Sequence, residues 1–362
     1  MTIKYSERQD IALLVGGHST EYDASIMSYL NIRNECLKDD SSINIKKVFF
    51  INNGYIYVHT KNLPKNEKEL SLSNERHSLD KMPALLKSSN LYILNLLHGN
   101  EGESGAYQGI AEIFDIRGSF GSVLASSLTM NKWQAGEFAT SISMGKLKPI
   151  PYMRLTLTTP VKEVETFLEK HESKYFVLKP NSLGASLFTY KINRSEVIFR
   201  LQSEREIFNY DRTFILQQYI EGRELTVGLV QTKEELIVLP IIEALTKDRF
   251  LGHKEKHENG YVIPRIEGIE IDLKNRLKEL SIDLFHDFGI SDFCRFDFLY
   301  ADGHIYFLEV NTIPGIMKQS SFTYMLKLEG ISIPKLISWF IDNDSLRPYI
   351  TKTHRYSIQE SE

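Results

Sequence analysis

Short apolar runs alternate with amphipathic stretches through the first third of the chain. Residues 11–15 and 91–97 are continuous apolar runs, as expected for strands that are buried on both faces. A glycine pair at 16–17 leads the first run into a predicted helix over 23–37, and another helix is predicted over about 107–114. This order of strand, loop and helix predicts an α/β fold with a parallel sheet covered by helices.

The rest of the chain carries a stronger β pattern. A helix is predicted around 130–140, ahead of Pro149 and Pro151. Residues 247–260 are charged and contain Gly and His, which predicts a mobile surface loop, and residues 353–362 predict a frayed polar tail. Further strands are predicted at 48–51, 55–58, 174–179, 214–219, 225–230, 236–242, 295–300 and 305–310.

Composition excludes several classes of protein. The 362 residues include 43 Lys and Arg against 47 Asp and Glu, and 42% are hydrophobic, which is too apolar for a disordered chain and lacks the basic bias of a nucleic-acid binder. Cys36 and Cys294 are far apart and provide neither a disulfide scaffold nor a cysteine zinc site. With no apolar run of about 20 residues and no apolar N-terminal stretch, we expect a cytoplasmic protein of two or three domains that acts on small molecules.

The most informative stretch, residues 295–315, predicts a hairpin that turns at Asp302-Gly303. Side chains alternate between the two faces of a strand, so the loop length decides which of them meet. A two-residue loop would put Asp297 and Glu309 on opposite faces. A three-residue loop or an equivalent bulge would instead place them opposite each other.

We favour the second register because it gathers oxygen ligands. It sets Asp297 opposite Glu309 and Arg295 opposite Asn311, and carboxylate and amide oxygens are the ligands that Mg²⁺ prefers. The alternative is an ordinary strand pair with one solvated polar face.

Two further segments suggest nucleotide contacts. The strand 174–179 ends in a lysine and leads into the small-residue loop 180–186, whose backbone N–H groups could cradle phosphate, although the loop has no Walker A pattern. The segment 217–224 is a strand that passes into a Gly turn with Glu224 beyond it, and it could offer backbone hydrogen bonds to adenine and a carboxylate to ribose. The alternative for this second segment is a plain interdomain connection.

Two glycine-rich turns follow predicted strands near the N-terminus. One is Gly-Gly-His-Ser-Thr-Glu at 16–21, which lacks the G-x-G-x-x-G dinucleotide pattern, and the other is His-Gly-Asn-Glu-Gly-Glu-Ser-Gly at 98–105. Glu21 could simply be an acidic residue in a first helical turn, and a lone histidine such as His98 is more often structural than catalytic.

Taken in order, these segments resemble the ATP-grasp enzymes, and specifically the D-alanine–D-alanine ligase family. The resemblance covers about residues 11–341. It rests on six motifs, which are G-G-x-S-x-E, H-G-x-x-G-E-x-G, the lysine of Met130-Asn131-Lys132, V-x-K-P at Lys179, R-x-D-F, and E-x-N-T-x-P-G.

The resemblance implies an α/β fold of three domains with ATP held between the second and third. We expect an N-terminal Rossmann-like domain over 1–125, a central ATP-grasp domain over 126–220, a C-terminal ATP-grasp domain with the metal site over 221–352, and a tail over 353–362. It also implies small-molecule amino acid substrates, no nucleic acid or membrane partner, and a homodimer, as is common in related ligases.

The implied reaction activates one carboxylate with ATP as an acyl phosphate, which a second substrate attacks. The implied product is the dipeptide of D-alanine and a second D-amino acid, as in peptidoglycan precursor synthesis. By the same resemblance two Mg²⁺ ions, replaceable by Mn²⁺, would bind Asp297, Glu309 and Asn311. ATP would contact Lys132, Lys179, Gly184, Ser186, Gln217, Ile220 and Glu224. The first substrate would bind Glu21 and His98, the oxyanion would bind Arg295 and the Gly315 N–H, and the second carboxylate would bind Ser320 and the Ser321 N–H.

The chain also departs from the family pattern. Ala185 stands where the first of two serines is expected, Phe188 stands where a glycine is expected, and the usual tyrosine of the mobile loop is missing. That loop carries F-x-x-H-x-E at 250–255, which resembles the D-alanyl–D-lactate ligases and adds His253 and Lys256 as candidate substrate-binding residues. A histidine with a pKa near 6.5 could change the choice between an amine and a hydroxy acid.

Three alternatives therefore stay open at this stage. The loop could be a charged lid in which His253 is merely solvated, and the enzyme could be an ester-forming or otherwise specialised ligase. From a different class, the chain could be an inactive ATP-grasp scaffold that binds nucleotide.

Overall fold

The computed structural model describes residues 8–245 and 263–344, and within them three β-sheets surrounded by helices. The class is α/β, as the alternation of apolar runs and amphipathic stretches predicts. Residues 247–260 and 353–362, and with them His253 and Lys256, lie outside the described residues. Among the described residues, no helix is both long and apolar enough to cross a membrane.

The first sheet has the order β4-β3-β2-β1-β5, and β1 is parallel to both β2 and β5. Its strands β1 and β5 are the two apolar runs of the sequence, and both are buried because helices cover the sheet. An antiparallel hairpin extends one edge, so the sheet is parallel in its centre and mixed overall. The strands are β1 Gln9–Gly16, β2 Ile43–Asn52, β3 Tyr55–His59, β4 Arg76–Ser78 and β5 Tyr92–Asn95, and the helices are α1 Tyr22–Cys36, α2 Glu67–Leu70, α3 Met82–Ser88, α4 Gly99–Glu103 and α5 Ala106–Ile113.

The second sheet is antiparallel, with the order β6-β9-β7-β8. The helix predicted around 130–140 is confirmed as the second of two consecutive helices, and it begins at Lys132 because the Asn131 side chain accepts a hydrogen bond from the Gln134 N–H. The elements are α6 Val123–Met130, α7 Lys132–Ile142, β6 Tyr152–Leu155, α8 Val161–Lys170, β7 Tyr175–Pro180, β8 Tyr190–Asn193, α9 Val197–Ser203 and β9 Phe214–Gln218.

The third sheet is also antiparallel and has the order β13-β12-β10-β14-β15, with β11 paired to β10. The prediction of one strand over 236–242 was wrong, because Pro240 has no N–H to donate to a ladder and the segment splits into β11 and β12 around it. The elements are β10 Arg223–Gln231, β11 Leu236–Val238, β12 Ile242–Leu245, β13 Ile263–Arg265, α10 Ile271–Asp287, β14 Phe293–Ala301, β15 His304–Asn311, α11 Ser321–Leu328 and α12 Ile333–Asn343.

One hydrophobic core joins the first and third of these units. It packs residues of α1, including Tyr29 and Ile32, with Ile316 and with Leu336 and Phe340 of α12. All five side chains are at most 1% exposed. The loop after β15 is therefore held against α1, which brings the N-terminal turns close to the carboxylates of the third sheet.

Candidate active site

The hairpin of β14 and β15 has the register that gathers the acidic residues. Its turn is the two-residue Asp302-Gly303, with φ of 50° and 78°. A bulge next to Asp297 shifts the register by one residue, which puts the Asp297 and Glu309 side chains on the same face of the sheet. Asp297 pairs with Glu309 and Arg295 pairs with Asn311. The predicted register is thus confirmed, and it is the bulge rather than a longer turn that produces it.

Asp297 is buried and neutralised by its neighbours. Its Oδ2 accepts hydrogen bonds from Arg295 Nη2 at 2.7 Å and Nε at 3.2 Å, and its Oδ1 accepts one from the Thr226 hydroxyl at 2.7 Å. Burial alone would lower the pKa of Arg295, but the charges of Asp297 and Glu309 offset this and raise it. The guanidinium therefore stays charged beside the carboxylate.

The donor set of this hairpin suits a magnesium ion that also uses nucleotide oxygens. Asp297 and Glu309 face each other on paired strands, and Asn311 adds an amide oxygen two residues along. In the described part of the chain, no three His, Cys, Asp or Glu side chains form a metal cluster. Protein-bound Mg²⁺ commonly uses only one or two carboxylates together with water and substrate phosphate oxygens. The two carboxylates and the amide of this hairpin are therefore suitable ligands for the magnesium ion that ATP-grasp enzymes use.

A cleft of about 830 Å³, including its open mouth, lies between the second and third sheets. Its lining combines charged side chains, among them Lys132 and Lys179, with apolar ones such as Val177 and Leu299, a combination that suits a molecule with both phosphates and a flat ring. Burial lowers the pKa of Lys179 to about 8, against the opposing charge of Glu309. The cleft is lined by Lys132, Val177, Lys179, Leu183, Ser186, Thr189, Gln217, Tyr219, Ile220, Glu224, Asp297, Leu299, Leu308 and Glu309.

Lys132 occupies the first position of α7 because Asn131 caps that helix. Its Nζ donates to the Leu183 carbonyl at 2.7 Å and lies 3.5 Å from Glu309 Oε2. Its backbone N–H donates to the Asn181 carbonyl at 2.9 Å. Lys132 thus connects the loop after β7 to Glu309 on β15. The break between α6 and α7 places Lys132 at a helix start, from which its side chain reaches both.

The loop after β7, residues 181–189, has an unusual backbone. Ala185, Ser186 and Phe188 have φ of 52°, 54° and 53°, which is the left-handed region that favours glycine. Phe188 thus adopts a conformation suited to the glycine that the resemblance leads one to expect there, and its ring packs against Tyr210 with 4.8 Å between centroids. Phe188 therefore holds a left-handed conformation although it is not glycine.

Asp211 anchors the start of the same loop. Its Oδ2 accepts hydrogen bonds from the Ser182 N–H at 2.6 Å and the Ser182 hydroxyl at 3.0 Å, and its Oδ1 accepts one from the Thr213 N–H at 3.1 Å. The dipeptide Tyr210-Asp211 therefore contacts both ends of the loop. The sequence offered no local signal for this role.

Glu21 lies between two glycine backbones. A Cβ placed on Gly184 would lie 2.0 Å from Glu21 Oε2, and one placed on Gly99 would lie 2.9 Å from the same atom. Neither distance leaves room for a side chain. The glycines thus let the loop after β7 and the loop after β5 both close on one carboxylate.

His98 is buried next to Gly315. Its Nε2 lies 3.2 Å from the Ser28 hydroxyl, and its carbonyl accepts a hydrogen bond from Ser19 at 2.5 Å. Burial lowers its pKa to about 4, against the opposing effect of a backbone hydrogen bond with Ile313. The imidazole is therefore neutral at pH 7 and can support a charged neighbour without adding charge.

The loop after β15 brings the remaining predicted residues together. The Ser320 hydroxyl donates to the Gly315 carbonyl at 2.5 Å and accepts from the Thr323 N–H at 3.1 Å, so Ser320 caps α11 and Ser321 begins it. A Cβ on Gly315 would lie 4.0 Å from His98 Cε1. The N-terminus of α11, the glycine and the histidine therefore share one small region.

Sequence reasoning missed a buried carboxylate in this region. Glu103 accepts hydrogen bonds from the Gly99 N–H at 2.8 Å and the Ile313 N–H at 3.1 Å, joining the loops after β5 and β15. Burial and the charge of Glu21 raise its pKa, and the two N–H donors oppose that shift. The glutamate of H-G-x-x-G-E-x-G was the available signal.

Two antiparallel sheets around a charged cleft, with a carboxylate hairpin at one wall, define an ATP-grasp ligase. The family model described as D-ala D-ala ligase C-terminus matches residues 144–342, more than half of the chain. The chain belongs to the D-alanine–D-alanine ligase family.

Curated relatives and solved structures agree with this membership. The chain is 27% identical over 360 residues to a D-alanine–D-alanine ligase of Staphylococcus epidermidis (97% of this chain, 99% of the relative), and 28% identical over 346 residues to that of Streptococcus pneumoniae serotype 4 (92% and 96%). The fold is similar to VanG D-Ala:D-Ser ligase from Enterococcus faecalis, with a TM-score of 0.73, 23% identity, and 93% and 100% of the two chains covered. The fold is also similar to the D-alanine–D-alanine ligase from Bacillus anthracis complexed with ATP, with a TM-score of 0.69, 23% identity, and 93% and 98% of the two chains covered.

Proposed function

We propose that this enzyme joins D-alanine to a second D-amino acid with ATP and Mg²⁺. The observation that carries the proposal is the facing pair Asp297 and Glu309 in one wall of a cleft that also presents Lys132 and Lys179. The opposed charges suit a triphosphate with its metal. The expected product serves peptidoglycan precursor synthesis in the cytoplasm.

In the first step an oxygen of the D-alanine carboxylate attacks the γ-phosphorus of ATP, the bond to ADP breaks, and an acyl phosphate forms. Lys132 and Lys179 bind phosphate oxygens, and the backbone from Gly184 to Ser186 covers them. Asp297, Glu309 and Asn311 would hold magnesium, which would neutralise charge on the phosphates. Gln217 and Ile220 bind the adenine, and Glu224 binds the ribose.

In the second step the amine of the second substrate attacks the acyl carbon, phosphate leaves, and the amine loses a proton. Glu21 binds the ammonium of the first substrate, and His98 supports it. Arg295 and the Gly315 N–H stabilise the negative oxygen of the tetrahedral intermediate. The Ser320 hydroxyl and the Ser321 N–H at the start of α11 bind the carboxylate of the second substrate.

A phosphate-release screen tests the proposal. ATP, Mg²⁺ and pairs of small D- and L-amino and hydroxy acids are offered, and the product mass is measured. The pair D-alanine and D-alanine should give a dipeptide, and the double variant Asp297→Ala/Glu309→Ala should give none. As a matched control, Glu165→Ala/Glu169→Ala removes two exposed carboxylates from α8 and should leave turnover unchanged.

An ester-forming ligase is the second candidate, because Ala185 alters the phosphate loop and the sequence at 250–255 resembles the D-alanyl–D-lactate ligases. It predicts that D-lactate competes better with D-alanine at low pH. An ester-to-amide ratio that changes neither with pH nor in His253→Tyr would argue against it. No turnover with any pair would favour the inactive scaffold, and light scattering of the pure protein tests the expected homodimer.

A further inference from the structure

Helix α1 holds both backbone groups of Ile316, the residue that follows Gly315. The Asn31 Nδ2 donates to the Ile316 carbonyl at 2.7 Å, and the Ile316 N–H donates to the Ser28 hydroxyl at 3.2 Å. Ser28 and Asn31 are three residues apart, so they lie on the same face of the helix. One side chain thus fixes each end of a residue from a distant part of the chain.

These contacts are made in a buried region. Ser28 is 0% exposed and Ile316 is 1% exposed, and Ile316 packs in the core that α1 shares with α12. A buried backbone group that loses its partner cannot readily turn to water, so loss of one hydrogen bond would force the chain to move.

The same contacts fix the peptide plane between Gly315 and Ile316. Its carbonyl oxygen, that of Gly315, accepts from the Ser320 hydroxyl at 2.5 Å, and its N–H donates to Ser28. The Cα of Gly315 belongs to this plane, so its position is fixed when both ends of the plane are held. The Gly315 N–H belongs to the preceding peptide plane, and relative to the held plane it can turn only about the two backbone bonds of Gly315. Asn31 then holds the next carbonyl and prevents the loop from sliding along α1.

We propose that Asn31, with Ser28, is a positioning residue that aims the Gly315 N–H at the oxyanion, an inference that rests on the proposed function. Asn31 contacts neither substrate nor metal and acts through Ile316. The N-terminal unit thereby contributes to the second chemical step from outside the cleft.

The variant Asn31→Asp tests this because it keeps the shape and replaces the donor by an acceptor facing the Ile316 carbonyl. Hydrogen–deuterium exchange of a peptide over 312–317 should be faster than in the wild type. With ATP and D-alanine, kcat should fall at least about tenfold, less than full loss of an oxyanion donor causes, while the KM for ATP stays within about twofold. Asn34→Asp makes the same substitution at an exposed position of α1 and should change neither quantity.

The outcomes separate the two proposals. If hydrogen–deuterium exchange in Asn31→Asp is the same as in the wild type, the inference is overturned, whether or not the enzyme ligates D-alanine. If the wild type ligates D-alanine and Asn31→Asp has the same kcat, the inference is also overturned. If exchange is faster in Asn31→Asp but the wild type makes no dipeptide, the result supports the role of Asn31 and Ser28 in holding Ile316 and contradicts the proposed function. If Asn31→Asp does not fold, Asn31→Ala gives the same readouts, because it removes the donor without adding charge.

Discussion

Arg295 and Asp297 form an ion pair within β14, with Arg295 Nη2 2.7 Å from Asp297 Oδ2. The two residues are assigned to different tasks, the oxyanion and the metal, yet each neutralises the other. If Asp297 holds a divalent ion as we propose, that ion would compete with the guanidinium for the same carboxylate. We therefore expect metal binding to be coupled to the release of Arg295 toward the oxyanion.

The variant Arg295→Met separates the two tasks. Loss of the guanidinium should lower kcat by about 10²–10³, the usual effect of removing one oxyanion donor. Because a positive charge next to the carboxylates is gone, the Mg²⁺ concentration for half-maximal activity should fall, by roughly tenfold. A Mg²⁺ titration of residual ligation measures both effects. A higher Mg²⁺ requirement in this variant would contradict the competition.

Thr226 is expected to orient the metal ligand from the neighbouring strand. It lies opposite Asp297 in the pairing of β10 and β14, and its hydroxyl donates to Asp297 Oδ1 at 2.7 Å. Thr226→Val keeps the shape and removes the donor, and should weaken Mg²⁺ binding by about 10–100-fold. Isothermal titration with Mg²⁺ and a non-hydrolysable ATP analogue measures this. Thr166→Val on the exposed face of α8 should bind Mg²⁺ like the wild type.

The sequence pattern was enough to predict the hairpin and its register. Side chains of a strand alternate with a period of two, and the polar positions of 295–311 leave few registers that gather the carboxylates. It failed at 236–242, where apolar residues on both sides of Pro240 look like one strand. It also could not find Asn31. Asn31 and Ile316 are 285 positions apart, and only the tertiary packing of α1 on the loop after β15 joins them.

Thr226 is an intermediate case. A lone hydroxyl within the apolar run of β10 could have marked it, but its partner depended on which strand lies beside β10. The left-handed residues of the loop after β7 could not be predicted either. Ala185 and Phe188 give no turn signal, and contacts such as those of Asp211 impose the conformation.

The close approach of Gly184 to Glu21 predicts opposite outcomes for two glycine substitutions. In Gly184→Ala the new Cβ would lie 2.0 Å from Glu21 Oε2, so the phosphate loop or the carboxylate must move, and kcat/KM for D-alanine should fall at least about a hundredfold. Gly136 lies inside α7 with no atom within 4 Å of an added Cβ, so Gly136→Ala should stabilise the protein by up to about 1 kcal/mol and keep its activity. Steady-state kinetics and thermal unfolding of the pair measure this. Full activity in Gly184→Ala would show that the loop does not need this contact.

The buried imidazole of His98 should make stability depend on pH in a defined window. Its folded pKa is about 4, whereas an unfolded histidine titrates near 6.5. Between these values the unfolded chain binds a proton that the folded protein does not, so the free energy of unfolding falls as the pH falls from 6.5 to 4. The loss attributable to His98 is up to about 3 kcal/mol, and it is absent above pH 6.5.

The variant His98→Gln removes this titration while keeping a polar side chain toward Ser28. Urea unfolding at several pH values between 4.5 and 7 should show a smaller loss of stability in the variant than in the wild type. The raised pKa of Glu103 works in the opposite direction, since the folded state then holds the proton more tightly, and the lowered pKa of His59 works in the same direction as His98. Both contributions are shared by the two proteins, so the difference between their pH profiles isolates His98. Parallel profiles would show that the imidazole binds a proton equally well in the folded and unfolded states, and would contradict the lowered pKa.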